Sequence, residues 1–194
     1  MKLVICEGPD DAAVLEGICG ALGIAGLTIE NCKGRANLER VVGELKIRPE
    51  FTREEVESVA IVIDAEASFD ASWQKVRNAV NLGFAVRLAS HAEFTVGKPR
   101  VGGFVVSGAQ GQGMIEDLCL QSVSDQPGYP CLEEYFKCLS ERTQRKGYHS
   151  KAKFRAWMAS QTEYELHVGL AAKHGLIPWE KPAFTPLREF LRKL

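Results

Sequence analysis

The feature that most restricts this chain is a run of five apolar residues, VAIVI at Val59–Ile63, that delivers Asp64-Ala65-Glu66 without a spacer. A continuous β-branched run of this length suits a strand buried on both faces, the environment of a parallel sheet with helices on either side. Lys2–Cys6, ending in Glu7-Gly8, and Leu27–Cys32, ending before Gly34, read as two earlier strands of the same kind. Between them, Pro9 with Asp10 and Asp11 opens a helix: proline suits the first turn, and acids suit the positive end of the helix dipole. Val14, Leu15, Ile18, Cys19 and Leu22 then recur at helical spacing up to Gly23. Further helices are predicted over Asn37–Lys46, closed by Pro49, and Ala71–Val80. Strand and helix thus alternate three times in under 85 residues, which predicts an α/β fold with a doubly wound, mainly parallel sheet flanked by helices.

The rest of the chain extends this plan. Gly83–Thr95 has mixed signals and predicts an edge strand or hairpin. Gly102–Val106 predicts a further strand, and the loop SGAQGQG leads to a helix near Met114. Ser124–Pro130, with two prolines and Gly128, is the candidate linker. Helices are expected at Leu132–Thr143, Lys151–Ser160, Glu163–His174 and Pro186–Leu194. The expected organisation is an α/β core over residues 1–123 and a helical C-terminal extension packed on it over 124–194.

Composition removes several functional classes. No apolar run approaches the ~18–20 residues needed to cross a bilayer. The opening MKLVICEGPDD lacks the pattern of a secretory signal, so a cytoplasmic protein is expected. The six cysteines form no CxxC pair and have no histidine at zinc-finger spacing, so they are expected to be buried reduced thiols. Charge is uneven. Residues 1–136 hold 12 Lys/Arg against 20 Asp/Glu, whereas 137–194 hold 12 against 5. An acidic body repels nucleic acid unless cations neutralise it, while a basic tail can hold phosphates; a solvated helical surface accounts for such a tail equally well.

Parallel sheets place their sites at the carboxyl ends of the strands, and acids stand at those ends here. Glu7 and Gly8 follow the first strand, with Asp11 one helical turn on. Asp64 and Glu66 follow the third, at an i, i+2 spacing expected to point both carboxylates the same way. Glu116 and Asp117 open a helix after the loop carrying Gly108, Gly111 and Gly113. That loop has neither the Rossmann nor the Walker pattern. Any one of these segments is also an ordinary acidic helix start. Together they would repel one another without a cation, and Mg²⁺ takes one or two carboxylates plus water and phosphate oxygens. Lys151, Lys153 and Arg155 in the basic tail are candidates for phosphate contacts, and they alternate as an exposed helix surface also does. His149 beside Tyr148 is a candidate proton carrier, though an ordinary loop histidine fits as well.

The order strand-EGPDD then strand-DAE resembles the Toprim domain shared by topoisomerases, bacterial primases and the overcoming-lysogenization-defect (OLD) nucleases. Glu7, Gly8 and Asp11 match its first motif, and Asp64 matches the first acid of its DxD motif. Glu66 stands where a second aspartate is usual. GQGMIEDL, KGYHSKAKFRAWMAS and GLAAKHGLIP resemble a small stand-alone group of Toprim-like proteins, similar to the OLD nucleases. The resemblance implies Mg²⁺ (or Mn²⁺) as cofactor, with Glu7, Asp64 and Glu66 as ligands and Glu116 reaching a second ion about 4 Å away. It implies catalytic roles for Glu7 and Lys153, phosphate or nucleic-acid contact by Gly8, Lys151, Lys153 and Arg155, and an orienting role for Asp11. The implied function is metal-dependent phosphoryl transfer, nuclease-like cleavage of nucleic acid above all, in phage defence as for some Toprim-like proteins. The alternatives are a non-catalytic Toprim-like binding or regulatory module and a small-molecule phosphohydrolase. A topoisomerase or a primase is not expected, since these residues supply neither a strand-gating tyrosine domain nor a zinc module.

Overall fold

A computed structural model describes residues 1–108, 110–143, 150–161 and 168–194. Four parallel strands form one sheet: β1 (Lys2–Cys6), β2 (Leu27–Asn31), β3 (Ser58–Asp64) and β4 (Arg100–Val106), in the order β2-β1-β3-β4. The register pairs Ile5 with Glu30, Ile5 with Ile61, and Asp64 with Val106, so the carboxyl ends of β1 and β3 lie side by side. Val59 to Ile63 are at most 2% exposed, as a strand covered on both faces requires. Burying each valine or isoleucine of this run stabilises the fold by about 1.5–3 kcal/mol.

Alternation along the strands sorts the core into two layers. Leu3, Ile5, Val59, Ile61 and Ile63 face α2 (Leu38–Leu45) and α4 (Phe69–Phe84), and the short α3 (Pro49–Thr52) lies between α2 and β3 in the chain. Val4, Cys6, Ala60 and Val62 face α1 (Pro9–Ala21) and the later helices α5 (Ile115–Ser122), α6 (Tyr129–Thr143), α7 (Ser150–Ala159), α8 (Val168–Lys173) and α9 (Thr185–Leu191). Phe154, Trp157, Phe184, Leu187 and Phe190 share one cluster with Val4 and Val14, so residues beyond 123 complete the core on that face. Gly17 makes room for this: a Cβ there would lie 2.5 Å from the Trp179 ring.

The chain differs from expectation between Gly83 and Thr95. No full edge strand forms there, and the hairpin alternative survives only as an isolated antiparallel bridge between Phe94 and Gly102; α4 runs on to Phe84 and stops at Ala85, whose φ of 54° is left-handed. The following loop covers the edge of β4 piecemeal. Ala92 and Thr95 amides donate to Gly103 and Val101 carbonyls, and His91 Nε2 accepts the Val105 amide at 2.8 Å. A histidine ring, wedged against Phe69, Trp73 and Phe104, replaces a strand as the partner of that amide. The 124–130 segment is shorter as a linker than expected, because α6 begins at Tyr129 with Pro130 in its first turn. Of the expected helix at 163–174, residues 168–174 lie within the described residues, and the helix there spans Val168–Lys173. Four cysteines are buried, but Cys131 and Cys138 on α6 are exposed. Among the described residues no helix is long and apolar enough to cross a membrane.

Candidate functional site

Each acidic segment reaches the sheet's upper edge by a different local device. After β1, Glu7 precedes Gly8, whose extended backbone lets α1 start. The Asp11 carboxylate reaches back and accepts the Gly8 amide at 2.7 Å, satisfying a donor that a helix start leaves free. After β3, the chain does not continue as a strand. Glu66 adopts a φ of 50°, and its amide and carbonyl pair with Gly113 at 2.7 and 2.9 Å. Asp64 and Glu66 line the same cleft, as their spacing leads one to expect, but Glu66 gets there by a route other than strand alternation. The glycine loop, not the strand's pleat, sets where Glu66 points. Gly113, at a φ of 134°, could not carry a side chain: a Cβ would sit 3.0 Å from Asp117 and 3.1 Å from the Gly108 amide.

These devices open one cleft of about 660 Å³ lined by Glu7, Gly8, Asp11, Asp64, Glu66 and Lys151, with Gly34, Gln112 and Met114 among its walls. Glu7 Oε1 accepts the Asp64 amide at 3.2 Å, which ties the ends of β1 and β3 together. Asp64 Oδ1 accepts the Ile115 amide at the start of α5, at 2.9 Å. Burial, then the nearby charges of Asp11, Glu116 and Glu7, push the Asp64 carboxyl up to about 8 despite that bond. Burial likewise pushes Asp11 up to about 6 and raises Glu7, the latter opposed by Arg35 and the Asp64 amide. A group of acids this reluctant to ionise is an electrostatic demand for positive charge.

Two cations answer part of it. Arg35, in the short turn after β2, was not among the residues picked out from the sequence. Its guanidinium donates to the Asp64 carbonyl at 3.1 Å and to the Ser72 hydroxyl. It also lies 3.3 Å from Glu66 and 3.8 Å from Glu7. The available signal was positional: Arg35 follows Gly34 at the carboxyl end of a strand beside Glu7's. Lys151, at the start of α7, places its ammonium 3.2 Å from Glu116. Glu116 itself is 1% exposed, and neither of its oxygens accepts an aligned hydrogen bond.

Lys153 and Arg155 lie elsewhere. Lys153 Nζ donates to both oxygens of Glu133, at 3.0 and 2.8 Å, in a separate depression with Asp117, Tyr129 and Ser150. Arg155 stands 3.9 Å from Asp10 and is over half exposed. Tyr148, His149, Glu163 and His167 fall outside the described residues. As they stand, no three Asp, Glu, His or Cys side chains among the described residues close around a common point as ligands would.

All 194 residues, 1–194, match the family described as protein of unknown function (DUF3226), and the chain belongs to it. No curated protein matches the sequence. Structures of the C-terminal region of the Xanthomonas campestris pv. campestris OLD protein align with the whole chain at a TM-score of 0.41. The mercury-phased one shares 13% identity and is covered over 85% of its length; the platinum-phased one shares 14% and is covered over 83%.

Proposed function

We propose that this cleft is a Toprim-like centre for metal-dependent cleavage of nucleic-acid phosphodiesters, with Mg²⁺ or Mn²⁺ held by Glu7, Asp64 and Glu66. The observation that carries the reading is convergence: acids 57 residues apart in the chain, Glu7 and Asp64, share a hydrogen bond and line one cleft. The residues fit a hard divalent cation. They offer oxygen donors only, and Asp64 and Asp11 resist ionisation without added positive charge. Mg²⁺ needs only one or two carboxylates, its remaining positions going to water and substrate. A bound divalent cation supplies Lewis acidity toward a phosphoryl oxygen and a more acidic water.

The chain's own groups supply the rest. The Glu7 carboxylate is held against the end of β3 by the Asp64 backbone amide, which limits its freedom before substrate arrives. Gly8, lacking a side chain, lets a phosphate approach the cleft wall. Arg35 and Lys151 give the otherwise acidic cleft two positive groups for a phosphodiester anion. Lys151 is therefore preferred to Lys153 as the phosphate contact, since only Lys151 lines the cleft.

The test is incubation of the protein with DNA and RNA in Mg²⁺ or Mn²⁺. Cleavage by the wild type, lost in Glu7→Ala, is expected. Silence from the wild type, or full cleavage by Glu7→Ala, ends the reading. One observation favours a second reading, a binding module without turnover: Arg35 already lies between Glu7 and Glu66. Metal binding with no hydrolysis of polynucleotides, nucleotides or small phosphodiesters is the outcome that selects it.

A further inference from the structure

The proposed centre has a second flank that its ligands do not use. Glu116 is the one acid of the cleft region sealed from water, at 1% exposure, yet neither carboxylate oxygen accepts an aligned hydrogen bond. A buried carboxylate in that state requires a proton, a metal ion or an opposite charge. What reaches it is Lys151 Nζ, at 3.2 Å from Oε1. The lysine is delivered with some care. Ser150, the residue before it, donates its hydroxyl to Asp117, the residue after Glu116, so the first turn of α7 is fastened to the first turn of α5. The ammonium also feels Asp11 and Asp10, and these charges with Glu116 raise its pKa in spite of burial. A divalent ion ligated by Glu116 would stand against this ammonium, and two cations so close repel strongly in a partly dry cleft.

We propose that Lys151 occupies the place of a second cation: its ammonium neutralises Glu116, so the cleft binds a single divalent ion at Glu7, Asp64 and Glu66. This rests on the metal reading above and departs from it in metal count. Lys151 acts here through Glu116, as a positioning residue, and its removal frees Glu116 to ligate.

The test counts Mn²⁺ bound per chain, by calorimetry and by the loss of the free-ion paramagnetic resonance signal, with Mn²⁺ alone as probe. Wild type and Lys151→Arg are expected to bind one ion, Lys151→Met two, and Lys151→Met/Glu116→Gln one again. Two ions in the wild type, or one ion in both wild type and Lys151→Met, overturns the inference; the second result leaves the single-ion centre standing. No ion in the wild type but one in Lys151→Met removes the ion from Glu7, Asp64 and Glu66 and overturns the inference with it. No ion in either overturns both. Should Lys151→Met not fold, Glu116→Gln decides: an unchanged single ion supports the inference, and a drop from the wild-type count overturns it.

Discussion

Helices α1 and α5 begin with the same cap and serve different ends. Asp11 and Asp117 each sit at the third helical position, and each accepts the amide of the residue before the helix at 2.7 Å. Their second positions diverge. Asp10 of α1 is partly exposed, with Arg155 3.9 Å away, whereas Glu116 of α5 is sealed under Lys151. Their third positions diverge too. Asp11 turns its free face to the cleft, and Asp117 takes the Ser150 hydroxyl outside it. Identical capping chemistry therefore says nothing about function; burial and the identity of the neighbouring cation do.

Asp64 stands between the two helix starts, and removing it should give the largest effect. It takes a hydrogen bond from α5 and repulsion from Asp11 of α1. Its carboxyl titrates near 8 when folded and near its ordinary value of 3.8 when unfolded. Between those values the folded protein holds the extra proton, so rising pH removes stability until the carboxyl is ionised in both states. One proton contributes a slope of about 1.4 kcal/mol per pH unit at most. In chelator-treated protein, Asp64→Asn should gain on the wild type steadily from pH 4.5 to 8 in urea unfolding, then level off. Parallel stability curves for the two proteins would mean that Asp64 is not held neutral.

Next in size is a contrast between the two glutamates. Glu7→Gln removes a proposed ligand and should weaken Mn²⁺ binding by roughly 100-fold or more, beyond the ~10–100-fold typical of changes one shell out. Glu116→Gln should leave that affinity within a few-fold, because its charge is already matched by Lys151. Equal losses would put both carboxylates on the ion and merge the two helix starts into one site.

The acids at the strand ends were legible in the sequence because continuous apolar runs fix where a buried strand stops, and parallel strands stop together. What escaped did so for geometric reasons. Glu66 shares the cleft with Asp64, but it is itself left-handed and is set by Gly113, a device that extended-chain alternation does not contain. Lys151, Lys153 and Arg155 alternate in sequence, but on a helix residues two apart face nearly opposite ways while i and i+4 share a face. Lys151 and Arg155 accordingly lean toward Glu116 and Asp10, and Lys153 toward Glu133. Arg35 could not be found from motif spacing, since its anchors, Asp64 and Ser72, lie 29 and 37 residues away. At 83–95, a histidine acceptor and aromatic packing did the work assigned to an edge strand.

The caps themselves give the third effect. Asp117→Ala loses the Met114 amide and the Ser150 hydroxyl, and should cost about 1–2 kcal/mol at neutral pH. Asp11→Ala loses the same kind of cap but also releases a carboxyl that burial and Glu116 push up to about 6. The relief offsets part of the loss, so its cost should be the smaller of the two by thermal or urea unfolding. A larger cost for Asp11 would show that its burial is compensated within the fold.

The smallest effect belongs to Arg155, and its smallness is informative. Lys151 and Arg155 share a face of α7, and each meets the second acid of a helix start. Arg155 does so at 3.9 Å with more than half its side chain in water, where an ion pair contributes little after screening and lost side-chain freedom. Arg155→Ala should change unfolding stability by less than about 0.5 kcal/mol and leave Mn²⁺ binding unaltered. Lys151→Met changes a cation of the same sign, on the same helix face, against a buried carboxylate. If the two substitutions proved equivalent, burial would not separate α5 from α1, and the contrast between the helix starts would lose its physical basis.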